Sequence, residues 1–483
     1  MMLISACAVG PDFQRPDAPN VNGYTTGPLA KKTASSDAEG GAAQHFTENS
    51  DIPNQWWTLF QSPALNTLIE ESLKANPDLD AAKAALKVAE ENVKAQQGAY
   101  FPSMQADFTP TRQKIGKSVS GSSPLPNQQT LFSLTTAQVS VSYIPDVFGL
   151  NRRTVESLQA EADSQRFQLE AAYLTLTSNV VAAAVQEASL RAQIKATHEL
   201  IDINTKMLEI LRRQLATGYA AKLEVAAAEA QLAQVKGTLP PLEKQLAAQR
   251  NLLTALAGHF PSEGRPEKFE LADLHLPEEL PVSLPSKLVE QRPDIRAAEE
   301  QLHSASAEIG VATANMLPQF NLTAAAGDVG TSMAHLFNST DSFWNLAAGV
   351  TQPIFQGGTL LHKKRAAEAA YDQAAAQYRS TVISAFQNVA DTLQALQSDA
   401  DGLKAAVESE KAAKTSLDLT REQMKVGYVN YLTLLNAEQA YQQAIINLAQ
   451  AEASRFADTA ALFQALGGGW WNRDEIENKK ASL

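Results

Sequence analysis

The sequence predicts a mainly α-helical protein that also carries β-strands of the kind that cross membranes, built from one unit that is used twice. Three observations lead to this class. Long proline-free stretches repeat apolar residues at heptad spacing, other stretches alternate apolar and polar residues, and short motifs recur in the same order in both halves of the 483 residues. Heptad spacing indicates coiled-coil helices, whereas strict alternation indicates strands with two different faces.

The longest helical pattern runs from Thr359 to a predicted reversal at Lys425–Tyr428, and a second helix returns to Leu466. About 65 residues without proline correspond to roughly 100 Å of helix, so this hairpin is predicted to be a spacer or a tube. Its seam residues follow one alternation of fours and threes: Val382, Phe386, Val389, Leu393, Leu396, Ala400, Leu403, Val407, Leu417 and Met424. A similar seam lies earlier in the chain: Leu190, Ile194, Ile201, Leu208, Leu211 and Leu215.

Matching landmarks in the two halves predict the internal repeat. The segment 212–219 aligns without a gap with 421–428, and the segment 77–102 aligns with 293–318. Such self-similarity indicates one structural unit used twice. The offset of the first match also aligns Leu223, Ala228, Glu229 and Gly258 with Leu432, Ala437, Glu438 and Gly467.

The two helical hairpins are predicted to reverse at Gly218 and Gly427. Glycine accepts the left-handed conformation that ends a helix, and a tyrosine follows each of these glycines, Tyr219 and Tyr428. The two tips are free ends, so we expect them to be docking points for a partner protein.

Four stretches of about ten residues alternate apolar and polar side chains, which is the length and pattern of a transmembrane β-barrel strand. In the first, Met104, Ala106 and Phe108 alternate with polar residues. The predicted strands are 103–111, 131–144, 318–327 and 343–353. Four strands cannot close a barrel, and each unpaired backbone group in lipid costs several kcal/mol, so the chain is expected to oligomerise. A soluble four-stranded sheet packed on helices is the alternative.

Composition argues against several other classes. The formal charge of −13 and the pI near 5.1 disfavour a nucleic-acid partner, which requires a basic surface. No apolar run is long enough for a transmembrane helix. The glycines at 357–358 and 467–469 do not form a phosphate-binding loop, and no nucleophile motif is present. Seven histidines are scattered without metal-ligand spacing: His45, His198, His259, His275, His303, His335 and His362. We therefore predict no metal, no cofactor and no enzyme activity.

Cys7 is the only cysteine in the chain. Ile4–Cys7 has the form of a lipoprotein processing site, with an apolar and two small residues before the cysteine that receives the lipid. Residues 1–6 are then a residual signal segment, since they are too few for a whole secretory signal. Residues 8–54 are rich in Pro, Gly, Ser, Thr and Asn and predict an extended, slack tether. The alternative is an incidental cysteine near a frayed terminus.

With these elements in place, the chain resembles the TolC-like outer membrane efflux proteins, in particular the NodT-type lipoproteins of resistance-nodulation-division pumps. The motifs that carry the resemblance are Cys7–Phe13, Trp56–Trp57, Asn76–Leu79, Asp146–Gly149, the two Gly-Tyr turns, Leu239–Leu242 and Arg292–Glu299. The resemblance implies a homotrimer with a twelve-strand β-barrel in the outer membrane, continued by a twelve-helix α-barrel across the periplasm.

The chain then divides into a lipid-anchored tether, two repeats and an equatorial collar. The repeats are residues 77–258 and 292–467, and Pro240–Pro241 is expected to break the return helix of the first. The tether spans 7–54. The collar is assigned 55–76, 259–291 and the tail 468–483. Three aromatics at Trp56, Trp57 and Phe60 predict a packing anchor within it.

The resemblance also locates a candidate gate just past the second tip. In the family, an apolar residue and acidic residues close the periplasmic end of the tunnel, and these positions fall here on Leu432, Thr433 and Asn436, so the acids are absent. Glu224 occupies a matching acid position at the first tip, and Gln439 follows Asn436 by one turn. In the alternative interpretation, Leu432 packs in the seam and Asn436 is a solvated surface residue.

The resemblance implies partners as well as a fold. They are two further copies of the chain, a periplasmic adaptor, an inner-membrane resistance-nodulation-division transporter and outer membrane lipid, with a covalent lipid on Cys7. The expected function is an exit duct for drugs or other small toxic compounds. A type I secretion duct is the second candidate. A periplasmic coiled-coil scaffold without a pore is a third, although it leaves the four strands unexplained.

Overall fold

The computed structural model describes residues 8–21, 23–27, 30–48, 50–114, 131–264, 267–336 and 342–473. The chain forms two compact units. The first comprises residues 1–16, 85–165 and 298–378, and the second comprises residues 17–84, 166–297 and 379–483. No helix among the described residues is both long and apolar enough to span a membrane.

Helices dominate the described residues. They are α1 (Pro63–Ala75), α2 (Pro77–Gln97), α3 (Leu150–Ala216), α4 (Lys222–Leu256), α5 (Pro285–Gln291), α6 (Pro293–Ala314), α7 (Thr359–Lys425) and α8 (Tyr431–Ala465). The two longest, α3 and α7, have 67 residues each, and the two return helices α4 and α8 have 35 each. Short 3-10 helices lie at Trp56–Phe60, Gly98–Tyr100, Pro261–Glu263, Leu271–Asp273, Met333–His335 and Trp470–Asn472.

Six strands in the described residues form two sheets. In the first unit, β2 (Ser103–Lys114), β3 (Leu131–Tyr143), β5 (Gln319–Gly330) and β6 (Ser342–Thr351) form an antiparallel sheet in the order β2-β3-β5-β6. In the second unit, β1 (His45–Glu48) pairs in parallel with β4 (Glu279–Val282). The four strands of the larger sheet coincide closely with the alternating stretches, because a period of two specifies a pleated strand with two unlike faces.

The register of the larger sheet separates an apolar face from a polar face. Residues paired across strands lie on the same side. One such row is Met104, Val141, Ala324 and Leu346, and the neighbouring row is Gln105, Ser140, Ala325 and Asn345. Large side chains of the apolar face remain exposed, including Met104, Phe108, Trp344, Leu346 and Val350. The alternative of a sheet whose apolar face is packed on helices is therefore wrong for this chain.

The heptad seam forms the core of the second unit. The seam residues that are at least nine-tenths buried are Leu190, Leu208, Leu211, Val382, Val389, Leu393, Leu396, Ala400, Leu403, Val407 and Leu417. The aromatic anchor also packs inside this unit, where Trp56 is buried and stacks on Phe463 at 5.3 Å between ring centroids. Both predictions are confirmed, because apolar spacing at helical period directs one stripe inward.

The prediction that Pro240–Pro241 breaks the return helix is wrong. Helix α4 continues through both prolines from Lys222 to Leu256. Each proline removes one backbone donor, which frees the carbonyls of Lys236 and Gly237 four residues earlier. Both of these residues are exposed, so water can satisfy the freed carbonyls. The cost of the two prolines stays small enough for the flanking turns to keep the helix.

The described residues between 8 and 54 contain no helix, but they are not the slack tether that the composition predicts. In the second unit, β1 is hydrogen-bonded to β4, and the buried Arg455 of α8 donates to the carbonyls of Gly40 and Ala42 at 3.3 and 3.0 Å. Gln44 is also buried and donates to Thr459 Oγ1 at 2.9 Å. Proline- and glycine-rich composition indicated the absence of helix correctly, but it carries no information about these backbone contacts.

Candidate gate and docking tips

Both hairpins reverse at the predicted glycines with the same backbone geometry. Gly218 and Gly427 have φ values of +77° and +81°. The amide of Tyr219 donates to Gln214 O at 2.8 Å, and the amide of Tyr428 donates to Gln423 O at 2.9 Å. This six-to-one bond after a left-handed glycine is the Schellman ending of a helix. Both tyrosine side chains are exposed at the tips.

The return helices begin with different caps. At the first tip, the Glu224 carboxylate accepts from the backbone amide of Ala221 at 2.9 Å. At the second, the Asn430 side-chain oxygen accepts from both the backbone amide and the hydroxyl of Thr433, each at 3.0 Å. Side-chain caps of this kind satisfy donors that the first turn leaves free. Two of the predicted gate residues, Glu224 and Thr433, are therefore also part of the helix starts.

An apolar cluster beneath the tips joins the two hairpins within the second unit. Its buried members are Leu208, Leu211, Val225, Ala228, Leu232, Leu417, Tyr431, Leu434 and Ala437. The members come from both outgoing helices and both return helices, so each tip is supported by the other hairpin. The tips are therefore ends of one packed helical body and not two independent loops.

The candidate gate residues Leu432 and Asn436 lie on the outer face of α8. Leu432 is 61% exposed, while Tyr431 and Leu434 occupy the buried seam. The alternative that Leu432 packs in the seam is therefore wrong for the isolated chain. Asn436 is exposed one turn later and has no hydrogen-bond partner in the described part of the chain. Residues four apart share a helix face, so an apolar and an amide side chain project together from this chain.

Gln439 differs from these two residues because it already has a partner within the chain. Its Nε2 donates to Gln231 Oε1 of helix α4 at 3.2 Å, which links the two return helices. The predicted gate set thus divides into an outward pair, two caps and one interhelical amide. The predicted lipid anchor Cys7 lies outside the described residues. Within the described ranges, no group of three metal-ligating side chains is present.

Each tip is also crossed by an arginine–glutamate pair, and the two pairs differ in environment. Arg212 and Glu229 are 2.7 Å apart, and Glu229 is 49% exposed. Arg421 and Glu438 are 3.7 Å apart, and Glu438 is 1% exposed. Neither carboxylate oxygen of Glu438 has a hydrogen-bond partner among the described residues.

Burial raises the pKa of Glu438, and the neighbouring Arg421 guanidinium opposes this shift. Burial, together with the charge of Glu438, raises the pKa of Tyr431 to about 12. In the sequence, Glu438 is recognisable only as a landmark of the repeat. An arginine six residues before each glycine and a glutamate eleven residues after it were the signal for the pairs, although nothing in that spacing distinguishes the buried one.

Comparison with known proteins agrees with the geometry. The toluene efflux pump outer membrane protein TtgC of Pseudomonas putida is 29% identical, over 100% of this chain and 96% of its own length. The probable outer membrane lipoprotein SilC of Salmonella typhimurium is 29% identical over 97% of each chain. The solved outer-membrane channel OprN superposes with a TM-score of 0.84 at 25% identity, covering 96% of this chain and 100% of OprN.

A sequence profile for "Outer membrane efflux protein" matches residues 68–259 and 284–468, which is most of the chain. The family expected from the motifs is confirmed, and with it the expectation of a transport protein in place of an enzyme. This chain belongs to the outer membrane efflux protein family.

Proposed function

We propose that this chain is the outer membrane exit channel of a tripartite efflux pump, which receives small toxic compounds from an inner-membrane transporter through a periplasmic adaptor. The observation that carries the proposal is the sheet of the first unit, whose apolar face is exposed and whose outer strands β2 and β6 are open edges. In lipid, such edges must be paired and such a face is favourable. Family membership and the names of the relatives support the same conclusion.

The proposal includes a homotrimer. Four strands from each of three chains give a closed twelve-strand barrel, and the four long helices α3, α4, α7 and α8 of each chain give a twelve-helix barrel. Two equal pairs of helices, 67 and 35 residues long, favour a duplicated unit as the source of this symmetry. Closure by identical chains removes every open edge without any further partner.

We also propose that Cys7 carries a lipid, for which the Ile4–Cys7 pattern and the name of the lipoprotein relative SilC are the support. The adaptor is proposed to dock at the tips around Gly218, Tyr219, Gly427 and Tyr428. The exposed tyrosines offer it apolar and hydrogen-bonding surface.

In the trimer, the gate is proposed to form from rings of Leu432 and Asn436. Three leucines at a narrow axis exclude water, and neutral amides between chains contribute roughly 1 kcal/mol net each. Glu224, Thr433 and Gln439 support this constriction through the caps and the link between return helices. A gate without acidic residues is expected to be held closed only weakly.

The barrel is tested by an arginine on each face of strand β6. Leu346→Arg puts a charge on the exposed apolar face, where the cost is about 2–4 kcal/mol near the bilayer midplane. Asn345→Arg puts the same charge on the polar face, one residue away. We expect the parent chain and Asn345→Arg to form trimers by light scattering and to conduct ions in planar bilayers, whereas Leu346→Arg does not insert. A monomeric parent without conductance steps contradicts the proposal.

A further inference from the structure

The described N-terminal strap, residues 8–15, lies against helices α3 and α6 of the first unit. Its N-terminal end is bound to the segment that follows strand β3, because the amide of Val9 donates to Phe148 O at 3.1 Å. Ala8 packs closely on Gly149. A Cβ added to Gly149 would lie only 2.6 Å from the Cα of Ala8. The strap therefore begins at a defined place in the first unit.

A single buried side chain, Arg153, donates to three groups of the strap. Its Nε donates to Val9 O at 3.0 Å, and one terminal nitrogen donates to Gly10 O at 3.4 Å and to the Asp12 carboxylate at 2.7 Å. The other terminal nitrogen pairs with Glu156 of the same helix at 2.7 Å. Arg153 is 4% exposed, so its charge depends on these acceptors.

Two glycines allow this approach. A Cβ on Gly10 would lie 2.4 Å from the Cα of Gly310 on α6, and Gly10 has a φ of +96°. A Cβ on Gly310 would lie 2.8 Å from the Arg153 side chain and 2.9 Å from Val9 O. The strap, α6 and the arginine thus cross at a point where only glycine backbone fits.

Further along the strap, Phe13 stacks on His303 with 4.4 Å between ring centroids, and Arg15 pairs with the buried Glu299 at 3.0 Å. These contacts continue the strap along α6. Residues 8–15 are consequently held at both ends as well as at the arginine.

The N-terminal end of the strap lies near one end of the larger sheet, because Phe148, whose carbonyl accepts from Val9, packs on Phe320 at the start of β5 with 6.4 Å between ring centroids. The register places the start of β2, the end of β3, the start of β5 and the end of β6 at one end of the sheet. The belt is defined as the exposed apolar residues next to those strand ends: Tyr100, Phe101, Ile144, Ile354 and Phe355. Aromatic and apolar girdles mark the membrane interface of β-barrels.

We propose that Arg153 is the positioning residue that holds the strap at the strand ends, so that a lipid attached just before Ala8 enters the bilayer leaflet at the belt. The inference rests on the membrane-spanning sheet and the lipidation proposed above. Eight free residues could extend roughly 25–30 Å, which is close to the thickness of the hydrocarbon core. A slack strap would therefore leave the depth of the lipid anchor undefined. The contacts of Arg153 with Val9, Gly10 and Asp12, called the lock below, define it.

The sequence permits a clean test, since Cys7 is its only cysteine. Cys7→Ser with Pro11→Cys leaves one exposed thiol next to the lock for a nitroxide label. In liposomes, electron paramagnetic resonance reports the mobility of the label, and its collisions with oxygen and with a nickel chelate report depth. We expect a restrained label with the collision ratio of the headgroup region.

Arg153→Ala is expected to give a mobile, water-exposed label. The fraction of molecules with a detached strap should rise at least about tenfold, since the loss of even one charge-assisted hydrogen bond changes an equilibrium by that factor. The matched control is Arg152→Ala. The neighbouring Arg152 pairs with Asp146 at 3.1 Å, and its removal should leave the label restrained. If Arg153→Ala does not assemble, Arg153→Lys retains the charge without the guanidinium fork and should give partial release.

An unchanged label in Arg153→Ala, or in Arg153→Lys where that variant replaces it, would overturn the lock. A restrained label that meets only the nickel chelate would overturn its placement at the membrane. Conductance of the same preparations separates either result from failure of the channel proposal, because a conducting trimer with a mobile strap refutes only the lock.

Discussion

The two hairpin tips have the same backbone conformation but differ in the environment of their charged side chains. Each has a left-handed glycine, a six-to-one hydrogen bond and an arginine–glutamate pair across the turn. At the first tip the pair is close and surrounded by water. At the second tip the two side chains are farther apart, and the buried carboxylate accepts no hydrogen bond from the described residues. The same pair of residue types can thus be an exposed surface contact or a pair whose carboxyl group is buried.

One aligned position accounts for much of this difference. The offset that pairs Leu223 with Leu432 pairs Lys222 with Tyr431. Lys222 is exposed, whereas Tyr431 is buried and lies near enough to Glu438 for the carboxylate to raise its pKa. We expect a buried aromatic ring at this position to keep more water from the pair than an exposed lysine does. The second hairpin is therefore the one whose packed arrangement is less favourable, and the one that also carries Leu432 and Asn436.

The largest expected effect comes from removing the outward pair at the second tip. Leu432→Ala with Asn436→Ala should raise single-channel conductance and admit large antibiotics, because both proposed rings lose their side chains. The matched control is Leu223→Ala at the first tip, which truncates the aligned leucine, also exposed. Single-channel recording in planar bilayers measures the change. Equal conductance in all three proteins, with trimers intact, would move the gate elsewhere in the tunnel.

The next effect concerns the arginines. Above the raised pKa of Glu438, Arg421→Met leaves a buried carboxylate without its cation, so local opening of the second tip should become easier by about 3 kcal/mol, or roughly a hundredfold. Arg212→Met removes an exposed pair and should cost less than about 1 kcal/mol. Amide hydrogen exchange of the peptides at each tip measures both. Similar changes at the two tips would mean that burial of Glu438 has little energetic consequence.

The pH dependence should separate the tips further. Because burial raises the pKa of Glu438, the packed hairpin favours the protonated acid. Stability from this group is complete below the usual glutamate pKa and is lost as pH rises through the raised value in the folded chain. Protection of the second tip should therefore fall as the pH rises from the usual glutamate pKa through the raised one, after correction for intrinsic exchange. Glu438→Gln should remove this trend, and a trend that survives the substitution assigns it to other groups.

The sequence located what depends on local pattern. Gly218 and Gly427, the seam and the four strands follow from backbone conformation and periodicity, and each was predicted at nearly its observed place. The environment of Glu438 could not be predicted, because Glu229 stands at the same spacing from its own arginine and is exposed. Its burial depends on Tyr431 and on the packing of all four hairpin helices.

Two predictions were wrong for a similar reason, the helix break at Pro240–Pro241 and the slack N-terminal tether. Pro240 and Pro241 are helix breakers by residue type, but their cost depends on whether the freed carbonyls face water. The strap at residues 8–15 has the composition of a linker. Its attachment depends on Gly310 and Arg153, which are distant in sequence and come together only in the folded unit.

The smallest difference between the tips should appear at the glycines themselves. Gly218→Ala and Gly427→Ala each place a Cβ on a residue with positive φ, which costs about 1 kcal/mol. Neither Cβ would meet another atom within 4 Å, so the cost is conformational and should be equal at the two tips. Exchange of the tip amides should therefore rise about fivefold in both variants. A much larger rise in Gly427→Ala than in Gly218→Ala would show that the unfavourable burial of Glu438 also weakens the backbone turn, and is not confined to the buried pair beneath it.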